Sequence, residues 1–179
     1  MTQTGKLYGE SLYSLAAEED LAKVIGDELM VLKESFAAEP DFLRLMNAAN
    51  LSKEERCGIL DDSFRGKVHP YVLNFLKILT EKGYMRHFAD CCDAYKVLYN
   101  QDHGILVVTA VSARVLTDAQ STKLKAKLRA ATGKTIELIN KVDPACYGGL
   151  RLEYDGKSID DTLAHRLDAM RSLLKNTVL

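Results

Sequence analysis

The stretch His103-Gly104-Ile105-Leu106-Val107-Val108-Thr109-Ala110-Val111 decides the fold, because the periodicity of the chain changes there. Before it, apolar residues recur every three or four positions, the repeat of an amphipathic helix. From Ile105 onward the chain runs through β-branched residues over the length of one strand. The reading is therefore of two domains. Residues 1–103 are expected to be an all-helical domain, a six-helix bundle, and residues 104–179 a smaller α/β domain.

Working back from His103, six helical segments can be counted. Tyr8, Leu12 and Leu15 share a stripe on the first, which runs from about Lys6 to Ala17. Leu21, Ile25, Leu29, Leu32 and Phe36 do so on the second, from about Glu19 to Ala37. Pro40 suits the first turn of a third, where its missing N–H costs no hydrogen bond. Ser52-Lys53-Glu54-Glu55 is a capping box that opens a fourth, ending near Gly66. His69-Pro70 starts the fifth and Gly83 stops it. Met85, Phe88, Cys92, Tyr95 and Tyr99 line the sixth. The fifth has two apolar faces, Val72, Leu73, Leu76 and Leu79 on one and Phe75 and Ile78 on another. Either deep burial or a groove for a partner helix satisfies such a pattern.

Working forward, Thr117-Asp118-Ala119-Gln120 is a second capping box, and Gly133 closes the helix that it opens. Lys134 to Val142 alternates as a strand does, and Leu150 to Tyr154 reads as another. Asp155-Gly156 is a hairpin turn, because both central positions tolerate positive φ. Asp160 or Asp161 is expected to cap a last helix with Leu163, Leu167, Met170 and Leu174 on its stripe and Arg166, Arg171 and Lys175 outward.

Composition narrows the function. Lys and Arg number 24 against 25 Asp and Glu, so the basic excess that attracts phosphate backbones is missing. No run approaches the roughly 18 apolar residues of a membrane span, and the start lacks the apolar centre of a signal peptide. The chain is expected to be soluble and intracellular. Cys57, Cys91, Cys92 and Cys146 lack metal-ligand spacing and read as core thiols. His69, His87, His103 and His165 are scattered and read as surface or capping residues. Gly133-Lys134-Thr135 looks like the end of a phosphate-binding loop, but Leu128 stands where that loop needs Gly, and the order here is helix into strand. Asp160-Asp161 at the head of a helix suits capping better than acid–base chemistry. No cofactor, metal or catalytic residue is expected. A small RNA-binding α/β module is the alternative function, but its strands offer Tyr154 and little other aromatic surface.

One pattern runs through both domains. Ile136-Glu137-Leu138 leads to Val142-Asp143-Pro144, then Gly148-Gly149-Leu150-Arg151-Leu152, Asp155-Gly156 and Ile159-Asp160. With Val111-Ser112-Ala113 and Asn74 to Gly83 upstream, this order resembles the ATP synthase delta family. Gly9 stands where that family usually has Ala, and Cys146-Tyr147 where it has smaller or aliphatic residues. The signature itself reads as a folding motif, in which Pro144 ends a strand and the Gly pair permits a close turn.

The resemblance implies a non-catalytic stator subunit for proton-driven rotary ATP synthesis. Residues 1–103 would hold the N-terminal helix of an alpha subunit in a groove between the first and fifth helices, lined or supported by Tyr8, Ser11, Leu12, Leu15, Phe75, Ile78 and Leu79. Leu12 and Leu15 are equally compatible with the core. Residues 104–179 would meet the b subunits of the peripheral stalk, at the cytoplasmic face of a bacterial cell membrane. A turnover assay on the isolated chain is expected to show no ATPase activity.

Overall fold

A computed structural model describes residues 2–47, 51–163, 165 and 167. The chain divides into two compact units, Met1–Tyr99 and Asn100–Leu179, so the division falls four residues before the 103/104 boundary read from sequence.

The first unit carries α1 (Gln3–Glu18), α2 (Ala22–Ala38), α3 (Pro40–Met46), α4 (Lys53–Phe64) and α5 (Pro70–Glu81). A 3₁₀ turn at Met85–His87 then leads into α6 (Phe88–Asp102), whose last residues pass into the second unit. Local chemistry sets most of these limits. Thr2 caps α1 by accepting the Gly5 N–H, and the Ser52–Glu55 capping box is formed in both directions. His69 caps α5, its Nδ1 accepting the Tyr71 N–H at 3.3 Å. The second helix starts at Ala22 and not near Glu19, because Asp20 at φ 57° interrupts it.

α2 supplies Ile25, Leu29, Leu32 and Phe36 to the core, and α6 faces it with Phe88, Cys92 and Tyr95. The Tyr95 hydroxyl donates to the Ala22 carbonyl at 2.8 Å, so its polar end is satisfied while the ring is buried. Phe36 stacks on Phe42 and meets Phe64 and Phe88, tying α2 to α3, α4 and α6. Lys77 on α5 pairs with Asp61 on α4 at 2.7 Å. Glu28 on α2 accepts the N–H of His69 at the head of α5 at 2.8 Å.

α1 meets α6 through glycine. A Cβ on Gly5 would lie 2.4 Å from Asp90 Cβ, and one on Gly9 would lie 2.5 Å from the Cys91 carbonyl oxygen. No side chain fits between the helices at these two positions. Ahead of them, the N–H of Thr2 and its hydroxyl both donate to Asp90 Oδ2, at 2.9 and 2.7 Å.

In the second unit, β1 (Ile105–Ser112) is followed by α7 (Asp118–Thr132), β2 (Thr135–Val142), a 3₁₀ turn at Pro144–Cys146, β3 (Leu150–Tyr154) and β4 (Lys157–Asp160). The sheet order is β2-β1-β3-β4. β1 and β2 run parallel with Ile105 opposite Thr135, joined by the α7 crossover, and the other two pairings are antiparallel. Central β1 buries Leu106, Val108, Ala110 and Val111. Both ends of α7 follow the sequence reading, with the Thr117–Gln120 capping box formed and Gly133 left-handed at φ 68°. Asp155 and Gly156 carry positive φ at the β3–β4 turn, as a two-residue hairpin requires.

The last helix is capped differently from expectation. Asp160 Oδ1 accepts the Thr162 N–H at 2.9 Å, and the Thr162 hydroxyl in turn accepts the His165 N–H at 3.2 Å. Thr162 is therefore the cap, and Asp160 holds it in place. Leu163, His165 and Leu167 are helical; the expected positions Arg166, Met170, Arg171, Leu174 and Lys175 lie outside the described residues.

Two glycines give opposite expectations. A methyl group added to Gly58 in α4 would meet nothing within 4 Å, so Gly58→Ala should stabilise by about 0.5–1 kcal/mol. Gly9→Ala should instead destabilise by about 1–3 kcal/mol through overpacking, despite its helix-propensity gain; chemical denaturation of both variants checks this. Acid stability gives a second expectation. Hydrogen bonds from the Thr2 hydroxyl and N–H hold the Asp90 carboxyl below its ordinary range. A carboxylate lowered in the folded state adds stability above its unfolded pKa, lost as pH falls through the folded value. Denaturation at stepped acidic pH should show that loss, and Asp90→Asn should reduce it.

Candidate functional site

The helix faces left open by the α1–α6 contact form a groove. On α1, Tyr8, Ser11, Leu12 and Leu15 follow the spacing i, i+3, i+4, i+7. On α5, Tyr71, Asn74, Phe75 and Ile78 do the same, and the eight together line a cavity of about 440 Å³. That spacing puts four side chains of each helix on one stripe, so the cavity is a trough lined by one stripe from each helix.

The lining is graded. Leu12 and Phe75 form the floor, at 5% and 6% exposed, while Leu15 and Ile78 at 39% and 45% form the rim. Ser11 is exposed, and its hydroxyl donates to the Leu7 carbonyl at 2.9 Å within its own helix. A small side chain with its polar atom already paired leaves room above it for another backbone. Tyr8 packs edge-on against Tyr84 with ring centroids 5.8 Å apart, which fixes the ring at one end of the trough.

Six of the seven residues read from sequence as groove residues are thus brought together. Leu79 is not among the lining residues. It is fully buried and belongs to the core cluster, because one step from Ile78 along α5 turns the side chain to the core face with Val72 and Leu76. Leu12 and Leu15, ambiguous in sequence, divide between floor and rim. Tyr71 and Asn74 are additions that the sequence reading does not contain. Their signal is their register, one turn before Phe75 and Ile78, but a tyrosine and an asparagine do not extend an apolar stripe by composition alone.

The signature residues of the second unit serve the backbone. Val142 ends β2. The Asp143 N–H donates to Ser112 O at 2.9 Å, and its carboxylate accepts the Ala145 N–H at 3.0 Å. Pro144 opens the 3₁₀ turn, and Tyr147, 77% exposed, takes the left-handed conformation at φ 58°. Gly149 has φ 82°, and a Cβ there would sit 2.4 Å from the Asp161 carbonyl oxygen. The Gly148 carbonyl accepts the Leu163 N–H at 3.0 Å. The pair therefore lets the chain leaving β4 close against the turn, which is more than the turn between strands expected from sequence. Ile159, opposite Leu152, is 53% exposed.

The two adjacent buried thiols are poorly suited to covalent chemistry. Burial pushes the Cys91 thiol up to about 11 and raises that of Cys92 further, the reverse of what a reactive thiolate needs. Among the described residues, no group of three His, Cys, Asp or Glu side chains could hold a metal ion, and no helix is long and apolar enough to cross a membrane.

Comparison with known proteins bears on the whole chain. The family model of the ATP synthase delta (OSCP) subunit matches residues 5–174. ATP synthase subunit delta of Alkaliphilus oremlandii is 31% identical over 169 residues, covering 94% of each chain. That of Clostridioides difficile is 28% identical, covering 96% of this chain and 95% of its own. A chain of the Toxoplasma gondii mitochondrial ATP synthase hexamer superposes with a TM-score of 0.77 at 19% identity, over 97% of this chain and 98% of that one; at that identity the likeness speaks to the fold alone. With a match along almost its full length, from the α1 glycines through the Gly148-Gly149 signature, the chain belongs to the ATP synthase delta (OSCP) family.

Proposed function

We propose that this chain works as the stator connector of a rotary ATP synthase by giving each unit a separate grip. The family is one of non-catalytic subunits of the complex, so the work is mechanical: to hold the alpha/beta head still against the torque of the central shaft. The first unit, acting as a six-helix bundle over residues 1–103, takes the N-terminal helix of an alpha subunit in the α1–α5 trough. The second, residues 104–179, meets the b subunits of the peripheral stalk. The chain is peripheral, at the cytoplasmic face of a bacterial membrane, and reaches that membrane only through its partners.

The observation that carries this reading is the trough. Two helix stripes of four residues each, with an apolar floor and half-exposed apolar rims, line it, and Tyr8, Ser11, Leu12, Leu15, Phe75 and Ile78 are six of the eight. An amphipathic helix laid into such a groove presents anchors at the same i, i+3, i+4, i+7 spacing. Burial of large apolar side chains is non-directional and contributes roughly 1.5–3 kcal/mol for each one fully covered, which suits a contact that must survive a fluctuating load. Leu79 supports the floor from the core side.

Calorimetric titration of the intact chain with a peptide from the alpha subunit's N-terminus tests this. Ile78→Asp, on the exposed rim, should leave the circular dichroism spectrum unchanged and weaken binding by about tenfold or more, the loss of roughly 1.4 kcal/mol or above. Leu79→Asp is unsuitable as a probe, since it buries a charge in the core and should unfold the unit. Absence of binding by the folded parent chain would sink the groove reading.

A further inference from the structure

The cations of the chain are unevenly placed. Residues 113–135 hold six, Arg114, Lys123, Lys125, Lys127, Arg129 and Lys134, against the single carboxylate of Asp118, although acids outnumber bases by 25 to 24 in the whole chain. Helices of the first unit pair such charges within a turn, as Lys6 does with Glu10 and Arg44 with Asp41. Among the described residues, Lys123, Lys125, Lys127 and Arg129 of α7 have no carboxylate within ion-pairing distance. All four are exposed, so the helix presents an uncompensated positive surface.

That surface borders a groove. α7 has no fully buried residue, and its Leu124 and Leu128 are half-buried. Between it and the start of β2 lies a cavity of about 540 Å³, lined by Lys125, Ala126, Arg129 and Ala130 from the helix and by Thr135 and Ile136 from the strand. Ala126 and Ala130 stand one turn apart and keep the helix side of the groove low. Lys125 and Arg129, also one turn apart, stand beside them.

We propose that this groove takes an acidic amphipathic helix, laid along α7 with two carboxylates one turn apart on Lys125 and Arg129 and its small or apolar side chains on Ala126, Ala130 and Ile136. The guanidinium of Arg129 can hold a carboxylate through two parallel N–H donors, and the apolar strip beside it sets the rotation of the helix about its axis. Other polyanions fit less well. Single-stranded nucleic acid would use aromatic side chains to stack its bases, and the described lining residues include none. An anionic membrane would be entered by large apolar side chains, and α7 exposes none. The inference rests on the stator reading, under which the b subunits supply the helix.

Titration of the intact chain with purified cognate b subunits, at low and high salt, tests it. Lys125→Glu and Arg129→Glu should each leave the circular dichroism spectrum unchanged and weaken binding by about tenfold or more. Ala130→Leu, which fills the groove without touching a charge, should weaken it by about fivefold or more. Lys127→Glu, on α7 but outside the lining, should change it by less than about threefold. Affinity of the parent chain should fall as salt rises, and that of Lys125→Glu should fall less steeply. Binding that neither Lys125→Glu nor Arg129→Glu weakens would overturn this inference and leave the stator reading in place, as would an equal loss with Lys127→Glu. Failure of the folded parent chain to bind b subunits at all would overturn both. Capture of an RNA oligonucleotide or of phosphatidylglycerol vesicles through Lys125 and Arg129, with b binding indifferent to those two residues, would also overturn it.

Discussion

The first unit depends on the absence of side chains where α1 crosses α6. At Gly5 and Gly9 a single added carbon would fall inside Asp90 Cβ or the Cys91 carbonyl oxygen, so the two backbones meet at a separation that only glycine permits. At Gly9 the Cys91 carbonyl across the contact leaves no room even for a methyl group. Packing at this density transmits position. With its glycine stripe pressed on α6 and its head tied through Thr2 to Asp90, α1 has no freedom to roll, and the adjacent stripe of Tyr8, Ser11, Leu12 and Leu15 is held toward α5.

The second unit solves a different problem with the same residue type. Its sheet has one short hairpin and one long crossover, and the chain leaving β4 must return to the β2–β3 connection. Gly148 and Gly149 allow that return, through the Leu163 N–H to Gly148 carbonyl bond and the close approach of Asp161 to Gly149. The signature that marks the family in sequence is thus a closure of the backbone and carries no binding chemistry of its own. The Gly148-Gly149 signature is structural, whereas the trough is lined by a mixture of apolar and small polar residues at helical spacing.

That separation explains how much is legible in the chain. The two capping boxes, the Gly133 stop and the Asp155-Gly156 turn are local, satisfied by neighbours within a few residues, and each can be read directly. The change of period at Gly104 marks the β1 start to within a residue. The α1–α6 contact cannot be read, since Gly5 and Gly9 acquire meaning only from Asp90 and Cys91, more than 80 positions away. The cap of the last helix lies one or two residues beyond its expected place because Asp160, Asp161 and Thr162 are all competent caps, and the choice is made by the closure onto Gly148. Within the trough, period alone puts Phe75 and Ile78 on the lining. It cannot turn Leu79 inward or admit the polar Tyr71 and Asn74, which depend on where α1 lies.

The central claim is that the α1–α5 trough, built in advance by the α1–α6 contact, is the surface that takes a partner helix. Methyl NMR of the intact chain during addition of the alpha subunit's N-terminal peptide tests it most directly. The account predicts that the resonances of Leu12, Leu15 and Ile78 move together and saturably while those of Ile139 and Val142 stay in place. Movement confined to the second unit, or none in the trough at saturating peptide, would contradict it.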